Sequence, residues 1–368
     1  MVIPEESPAA ALLRKLAASE ITIPWLFKLA PTWESCMNVY EAEIEAYVTD
    51  WSERWLEDPC QKLRVQVVNP SLLARWSVPE ADLEGAKFVA LWLAWIYNWD
   101  DGLDCGHDFD DIAKLVALRQ DTIETMQESL LGITSDRAVS GSSKDRIIGS
   151  YAEVSASLRK RGQSDVLTKL ICESMIEFIS SATEQHVNFQ KQEIQQIDQF
   201  WEYRLKSSAA GTFVLAQLHA VNLQLPDWFY QHEDFKRACH LANFIISASN
   251  EFISLRNEIS HGHVDNIIPI LMHHEGITAQ KAVDKTADMV RKACDDLDNL
   301  GTDIIAFGRQ HDFEPEASKF IRTIKLGCAG IWRWSYTIHR YILYDSSWGE
   351  ADVRVALGQG PNGKPVLA

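Results

Sequence analysis

The 368-residue sequence contains no Cys-x-x-Cys pair; its seven cysteines are scattered singly. That spacing argues against a disulfide framework and against a zinc site, and makes reduced thiols in the cytoplasm the expectation. Positive charge is also scarce. Thirty-five Lys and Arg stand against 52 Asp and Glu, a formal net charge of −17, so the basic footprint that a nucleic-acid backbone demands is missing. A small anionic substrate stays open, because a few local arginines and metal ions can reverse the field inside a cleft. The opening stretch carries Pro4, Pro8 and early acids and lacks the basic start and apolar run of a signal peptide. No segment approaches 18 uncharged apolar residues, which excludes a membrane-spanning helix. Strand alternation is rare, and Asn-Gly occurs only at Asn362-Gly363. Internal repeats, low-complexity tracts and anything like an interdomain linker are lacking.

What is abundant is apolar and aromatic mass. Hydrophobic residues make up 46% of the chain, including thirteen Trp, nine Tyr and fourteen Phe, enough for a large core and more aromatic surface than packing alone usually asks for. Helical periodicity dominates and predicts helices near 36–57, 80–102, 109–131, 144–160, 165–191, 194–222, 232–260, 277–308 and 315–344. Breaks fall at Asp58-Pro59, between Pro70 and Pro79, between Ser135 and Ser143, and at Leu225-Pro226-Asp227. The apolar run Phe88 to Trp99 reads as a buried helix. The expected architecture is all-α: one domain over residues 1–368, with a core at about 20–345, a flexible N-terminal segment, a mobile loop at 135–143 and a loose tail from Gly358. A bundle of roughly ten helices of this kind can hold a ligand in its interior.

Two acidic segments stand out. Asp100, Asp101 and Asp104 close the apolar helix, with Asp100 and Asp104 one turn apart on one face. Three carboxylates at a helix C-terminus repel one another where negative charge is already disfavoured, and hard divalent cations offset that cost, Mg²⁺ above all. A solvated helix end capped by Gly102 and Gly106 is the plainer alternative. Farther along, Asn250, Ser254 and Glu258 stand at i, i+4 and i+8 of one helix. They drift only about 80° around the axis while climbing about 12 Å. An amide oxygen, a hydroxyl and a carboxylate in one row can ligate one Mg²⁺; a polar helix stripe with Ser254 bonded back to its own backbone is the alternative. Arg204 in Trp201-Glu-Tyr-Arg204 and the Arg340-Tyr341 pair offer the planar donors suited to phosphate.

Taken together, these elements resemble the microbial class I terpene synthases over roughly residues 20 to 345. The family's aspartate-rich motif matches Asp100, Asp101 and Asp104, and its Asn-Ser-Glu triad matches Asn250, Ser254 and Glu258. The family's diphosphate-sensing arginine lies about 46 residues before the triad asparagine, which is Arg204; its C-terminal Arg-Tyr pair matches Arg340-Tyr341, preceded by Gly330 and Trp334. There are departures. Glu251 stands where Asp is common, at a position that is not a usual ligand, and Asn257, beside Arg256, stands where a diphosphate-contacting Lys is common. Ser207, Ser208 and Gly211 occupy the stretch where the family often breaks a helix.

The resemblance implies a class I terpenoid synthase fold around a central hydrophobic cavity, with three Mg²⁺ ions for which Mn²⁺ can substitute. Asp100 and Asp104 would hold two ions and the triad the third. Arg204, Asn250, Arg340 and Tyr341 would bind the diphosphate of a prenyl substrate, most fittingly farnesyl diphosphate, with geranylgeranyl diphosphate as the longer alternative. Diphosphate leaves by Lewis-acid and electrostatic assistance, and the carbocation then needs a dry aromatic wall. Tyr97 and Trp334 are the first candidates for that wall, joined by Leu93 and Ile96, with Phe178 and Tyr203 as weaker ones. A homodimer is compatible with the family. Rival readings are a prenyl chain-elongating synthase, which would carry a second aspartate-rich motif in place of Asn-Ser-Glu, and a non-catalytic isoprenoid-binding helical protein.

Overall fold

Helix α5, Leu83–Cys105, explains why the rest of the chain folds around it. From Phe88 to Ile96 each of its residues is at most 5% exposed, so it is apolar on every side and must be covered on every side. The cover comes from α2 (Glu41–Trp55), α4 (Pro70–Ser77), α7 (Arg146–Lys160) and α10 (Ala210–Ala220), which all pack against it. The expectation of a buried helix over 88–99 holds. In this computed structural model the described residues are 7–105, 112–132, 146–161, 164–191, 194–341 and 350–358; the side chains of 101–105, 112, 183, 185–191 and 339 lie outside them.

The remaining helices complete the bundle. These are α1 (Pro8–Ala17), α3 (Pro59–Val68), α6 (Ile112–Leu131), α8 (Asp165–Lys191), α9 (Ile197–Ser207), α11 (Glu233–Ser260), α12 (Ile267–Glu275), α13 (Ala279–Gln310) and α14 (Glu314–Thr337). Among them α3 also packs against α5. Helix α11 packs on α10, α13 and α14, and α14 packs on α4. The α14–α4 approach depends on Gly330: a Cβ there would sit 2.2 Å from the Trp76 carbonyl oxygen.

Several expected helices are shorter or divided. The predicted helix over 194–222 is two, α9 and α10. Ala209 takes a left-handed φ of 58° between them, which no α-helix can continue through. The predicted helix to 344 ends at Thr337, where Ile338 turns extended, and a single 3₁₀ turn, His339–Tyr341, follows. Short helices α3 and α4 fill the Pro59 to Pro79 region that proline seemed to break. In both, the proline sits in the first turn, behind the capping side chains of Asp58 and Asn69, where its missing N–H costs nothing.

A two-stranded antiparallel ribbon was not anticipated: β1 (Glu20–Ile23) pairs with β2 (Val353–Ala356). Its strands are only four residues long, the shortest run in which alternation can be read at all. The ribbon is extended by Asp352, which accepts hydrogen bonds from the Trp25 backbone N–H and Lys28 Nζ, each at 2.8 Å. Helix α1 lies ahead of the expected core boundary near residue 20, yet buries Leu12, Leu13 and Leu16 in the core. The loop expected at 135–143 and the tail beyond Gly358 lie outside the described residues. Among the described residues, no helix is long and apolar enough to cross a membrane.

Candidate active site

Helix α11 is the frame of the site. Its period places Asn250, Ser254 and Glu258 in one row, as the spacing predicts. Ser254 is buried, whereas Asn250 and Glu258 keep part of their surface open. Ser254 Oγ lies 2.8 Å from the Asn250 carbonyl oxygen and 2.6 Å from Glu258 Oε1. The first contact is the hydroxyl's bond back to its own helix, as the plainer reading of the row expects; the second leaves the Ser254 and Glu258 oxygens close enough to serve one small cation. Among the described residues, no group of three His, Cys, Asp or Glu side chains is placed to hold a metal, so the capacity seen there resides in this mixed amide, hydroxyl and carboxylate row. The donor set is all oxygen and fits a hard divalent ion rather than a soft one.

Helix α9 delivers Arg204 to the same row. Arg204 Nη2 donates to Asn250 Oδ1 at 2.9 Å, and Nε donates to Glu251 Oε1 at 2.6 Å. Burial works against the guanidinium charge, but Glu251 and Glu258 outweigh it and raise its pKa. The 3₁₀ turn after α14 delivers Tyr341, whose hydroxyl accepts from Asn250 Nδ2 at 3.1 Å. Arg204, Asn250, Ser254, Glu258 and Tyr341 therefore converge from three elements far apart in sequence.

The link to α5 runs through rings. The Arg340 guanidinium lies 5.1 Å from the Tyr97 ring centroid, in cation–π range. Tyr97 stands 6.1 Å from Trp334, and Trp334 meets Tyr341 edge-on at 5.7 Å. Tyr97 is one turn before Asp100, so this chain of rings ties the acidic end of α5 to the Asn250 row. One face of Tyr97 is thus engaged with Arg340. Trp334 is 1% exposed and donates to the Val68 carbonyl at 2.8 Å. Leu93, Ile96 and Phe178 are buried, and Phe178 packs edge-on against Trp99 at 5.6 Å. The side chains of Asp101 and Asp104 lie outside the described residues; Asp100 is half-buried.

Sequence reasoning passed over three groups behind the row. Glu251 is 1% exposed. By resemblance its position is not a usual ligand, so the sequence alone attaches no role to it. Its Oε2 accepts from the Ile267 backbone N–H at 3.2 Å. Burial pushes its carboxyl up to about 7; the Arg204 charge works against that push and Glu258 adds to it. Asn266, fully buried, donates from Nδ2 to the Glu251 carbonyl at 2.7 Å and to Glu258 Oε2 at 2.8 Å. Its Oδ1 caps α12 by accepting from Ile268 N at 2.8 Å. An asparagine directly ahead of the apolar run Ile267-Ile268-Pro269 is a legible helix start, and that signal could have placed it. Asp265 accepts from the Tyr203 hydroxyl, and burial pushes its carboxyl up to about 6. Tyr203, a weaker wall candidate by sequence, is engaged there.

The helix break after Arg204 is fixed to α11 by small polar groups. Ser208 Oγ accepts from Ala210 N at 3.2 Å and from Ser247 Oγ at 2.8 Å. Asn243 Nδ2 donates to the Leu205 carbonyl at 2.8 Å. The last turn of α9, which holds Arg204, is therefore anchored on both sides of the break.

Residues 91–296, more than half of the chain, match the family described as terpene synthase family 2, C-terminal metal binding. The chain belongs to that family: it is an all-α terpene synthase, which implies a prenyl diphosphate substrate and dependence on a divalent metal. Among curated relatives, it is 23% identical to the silphinene synthase peniA of Penicillium patulum, over 89% of this chain and 87% of the relative. It is 22% identical to the sesquiterpene cyclase hepA of Aspergillus oryzae, over 92% and 94%. Among solved structures, an α-eudesmol synthase superposes with a TM-score of 0.70 at 16% identity, covering 83% of this chain and 97% of that one. The linalool/nerolidol synthase from Streptomyces clavuligerus superposes with a TM-score of 0.69 at 14% identity, covering 83% and 98%. These likenesses establish the class I terpenoid synthase fold.

Proposed function

We propose that this enzyme ionises farnesyl diphosphate with Mg²⁺ and cyclises the carbocation to a sesquiterpene, releasing diphosphate. The observation that carries the site assignment is the convergence on Asn250 of Arg204, Tyr341 and the Ser254–Glu258 pair. Relatives named as a silphinene synthase and a sesquiterpene cyclase, matched over most of both chains, favour the C15 substrate.

In this reading Asn250, Ser254 and Glu258 hold one Mg²⁺, and Asp100 with Asp104 hold two more; Asp101 shares their motif. The bound ions supply Lewis-acid assistance to the departing diphosphate. Arg204, Arg340 and Tyr341 would supply the positive charge and hydrogen-bond donors that the diphosphate needs as negative charge develops. Trp334 and Tyr97 stand at the border between this polar end and the apolar interior of α5. Aromatic faces there stabilise positive charge without attacking it.

The test is product identification by gas chromatography–mass spectrometry with C10, C15 and C20 diphosphates, alongside diphosphate release. A cyclic C15 product, lost on adding EDTA, is expected. A cyclic C20 product from geranylgeranyl diphosphate alone would replace the substrate, and a requirement for isopentenyl diphosphate would replace the reaction.

A further inference from the structure

Glu251 is a buried acid that the reaction, as outlined, does not use. Leaving a carboxylate in the interior costs several kcal/mol unless it is paired and hydrogen-bonded. Capping the start of α12 would not by itself call for a charge, since neutral amides cap helices as well, and Asn266 already does so here. The arrangement around Glu251 is directional. Oε2 is fixed by Ile267 N, at the positive end of α12. The backbone carbonyl is fixed by Asn266, which grips Glu258 with the same nitrogen. With one oxygen and the backbone held, Oε1 is left facing Arg204 Nε at 2.6 Å.

A guanidinium is planar, so fixing Nε fixes the plane in which both terminal nitrogens lie. Here that plane brings Nη2 to Asn250 Oδ1. We propose that Glu251 is a positioning residue for Arg204: it orients the guanidinium edge toward the diphosphate and, through Asn266, keeps that edge in register with Glu258. The proposal rests on Arg204 contacting diphosphate. It assigns a role to a position that ligates nothing itself, and it ascribes the presence of an acid there to the orientation of a cation.

Binding of inorganic diphosphate with Mg²⁺, followed by isothermal titration calorimetry on the full chain, tests it, with thermal denaturation to check folding. Glu251→Gln is expected to weaken diphosphate binding about tenfold, and Glu251→Asp, which keeps the ion pair, to stay within about threefold of the native enzyme. In an Arg204→Gln background, Glu251→Gln should add no further loss, because the partner through which it acts is gone. Arg204→Lys keeps the charge and leaves Glu251 untouched but lacks the fork. It should also lose about tenfold, which keeps the test decisive where a Glu251 variant does not fold. Four outcomes overturn the proposal. The first is a Glu251→Gln variant with lower thermal stability and unchanged diphosphate affinity. Its loss could persist undiminished without Arg204. Arg204→Lys could bind diphosphate like the native enzyme. Unchanged affinity in Arg204→Gln itself would remove the diphosphate reading of Arg204, and this inference with it.

Discussion

Helices α5 and α11 carry the two oxygen-rich segments in opposite ways. Helix α5 is apolar on all sides and brings its aspartates to its last turns, where the helix dipole disfavours them. Helix α11 carries its polar row through its second half, and both ends of the row meet partners from other elements: Asn250 meets Arg204 from α9 and Tyr341 from the turn after α14, and Glu258 meets Asn266 from the start of α12. Polar groups at a helix end can rely on water. Polar groups inside must be satisfied by the fold, and that takes a supporting set larger than the set that does the chemistry. The site is therefore braced on the α11 side, and the comparison between the two helices can be tested at each end.

The largest effects are expected where an oxygen donor is lost. Glu258→Gln keeps the shape and a partner for Asn266 but loses the charge. Turnover should fall by about 10³-fold or more with the fold retained, as read by diphosphate release and circular dichroism. Asp100→Asn should cost a comparable factor. Near-native turnover in either variant would detach that helix from the chemistry.

Next is the packing that joins the two indirectly, with α4 on α5, α14 on α11 and α14 on α4. Gly330→Ala forces a Cβ against the Trp76 carbonyl, and overpacking of backbone against backbone should cost about 1–3 kcal/mol in chemical denaturation. A neutral result would show that α14 and α4 can separate without loss. Trp334→Phe removes the hydrogen bond to Val68 and some buried surface, for about 1–2 kcal/mol. It should shift the product mixture by mass spectrometry more than it slows diphosphate release; an unchanged profile would take Trp334 off the cavity wall.

The smallest effect concerns pH. The folded state raises the Asp265 carboxyl from 3.8 to about 6, chiefly by burial. A folded-state pKa above the unfolded one means that the native protein binds the proton more tightly. The stabilisation this gives is complete below about 4 and is lost as pH rises through about 6. Asp265 retains some exposure, so at most about 2 kcal/mol is expected across that window. Asp265→Asn should flatten this part of the stability curve in urea titrations at pH 4.5 and 7, and an unchanged slope would show that the Tyr203–Asp265 pair does not titrate there.

The sequence made the ligand row legible because helical spacing alone puts residues four apart on one face. Arg204 and Tyr341 were legible only through resemblance, since nothing in their neighbourhoods shows that they meet Asn250. The bracing set was not legible. Glu251, Asn266 and Asp265 matter because α12 begins beside α11, a tertiary fact with no local signature except the cap at Asn266. Among elements, the long amphipathic helices were read within a few residues. Helices starting at Pro59 and Pro70 were mistaken for breaks, because proline at a first turn and proline at a break look alike in composition. The α9–α10 division escaped the periodicity for the opposite reason, and only the resemblance pointed to a break near Ser207 to Gly211: Ala209 is a strong helix former, and tertiary contacts through Ser208, Ser247 and Asn243 hold the turn there.

That alanine has a practical consequence. Its left-handed backbone costs an L-residue roughly 1 kcal/mol that glycine avoids. Replacing the best helix former with one of the worst, Ala209→Gly, is thus expected to raise the melting temperature, an inversion of the usual propensity rule. For anyone seeking a hardier catalyst, the first position to alter is a bend in the chain rather than the greasy interior.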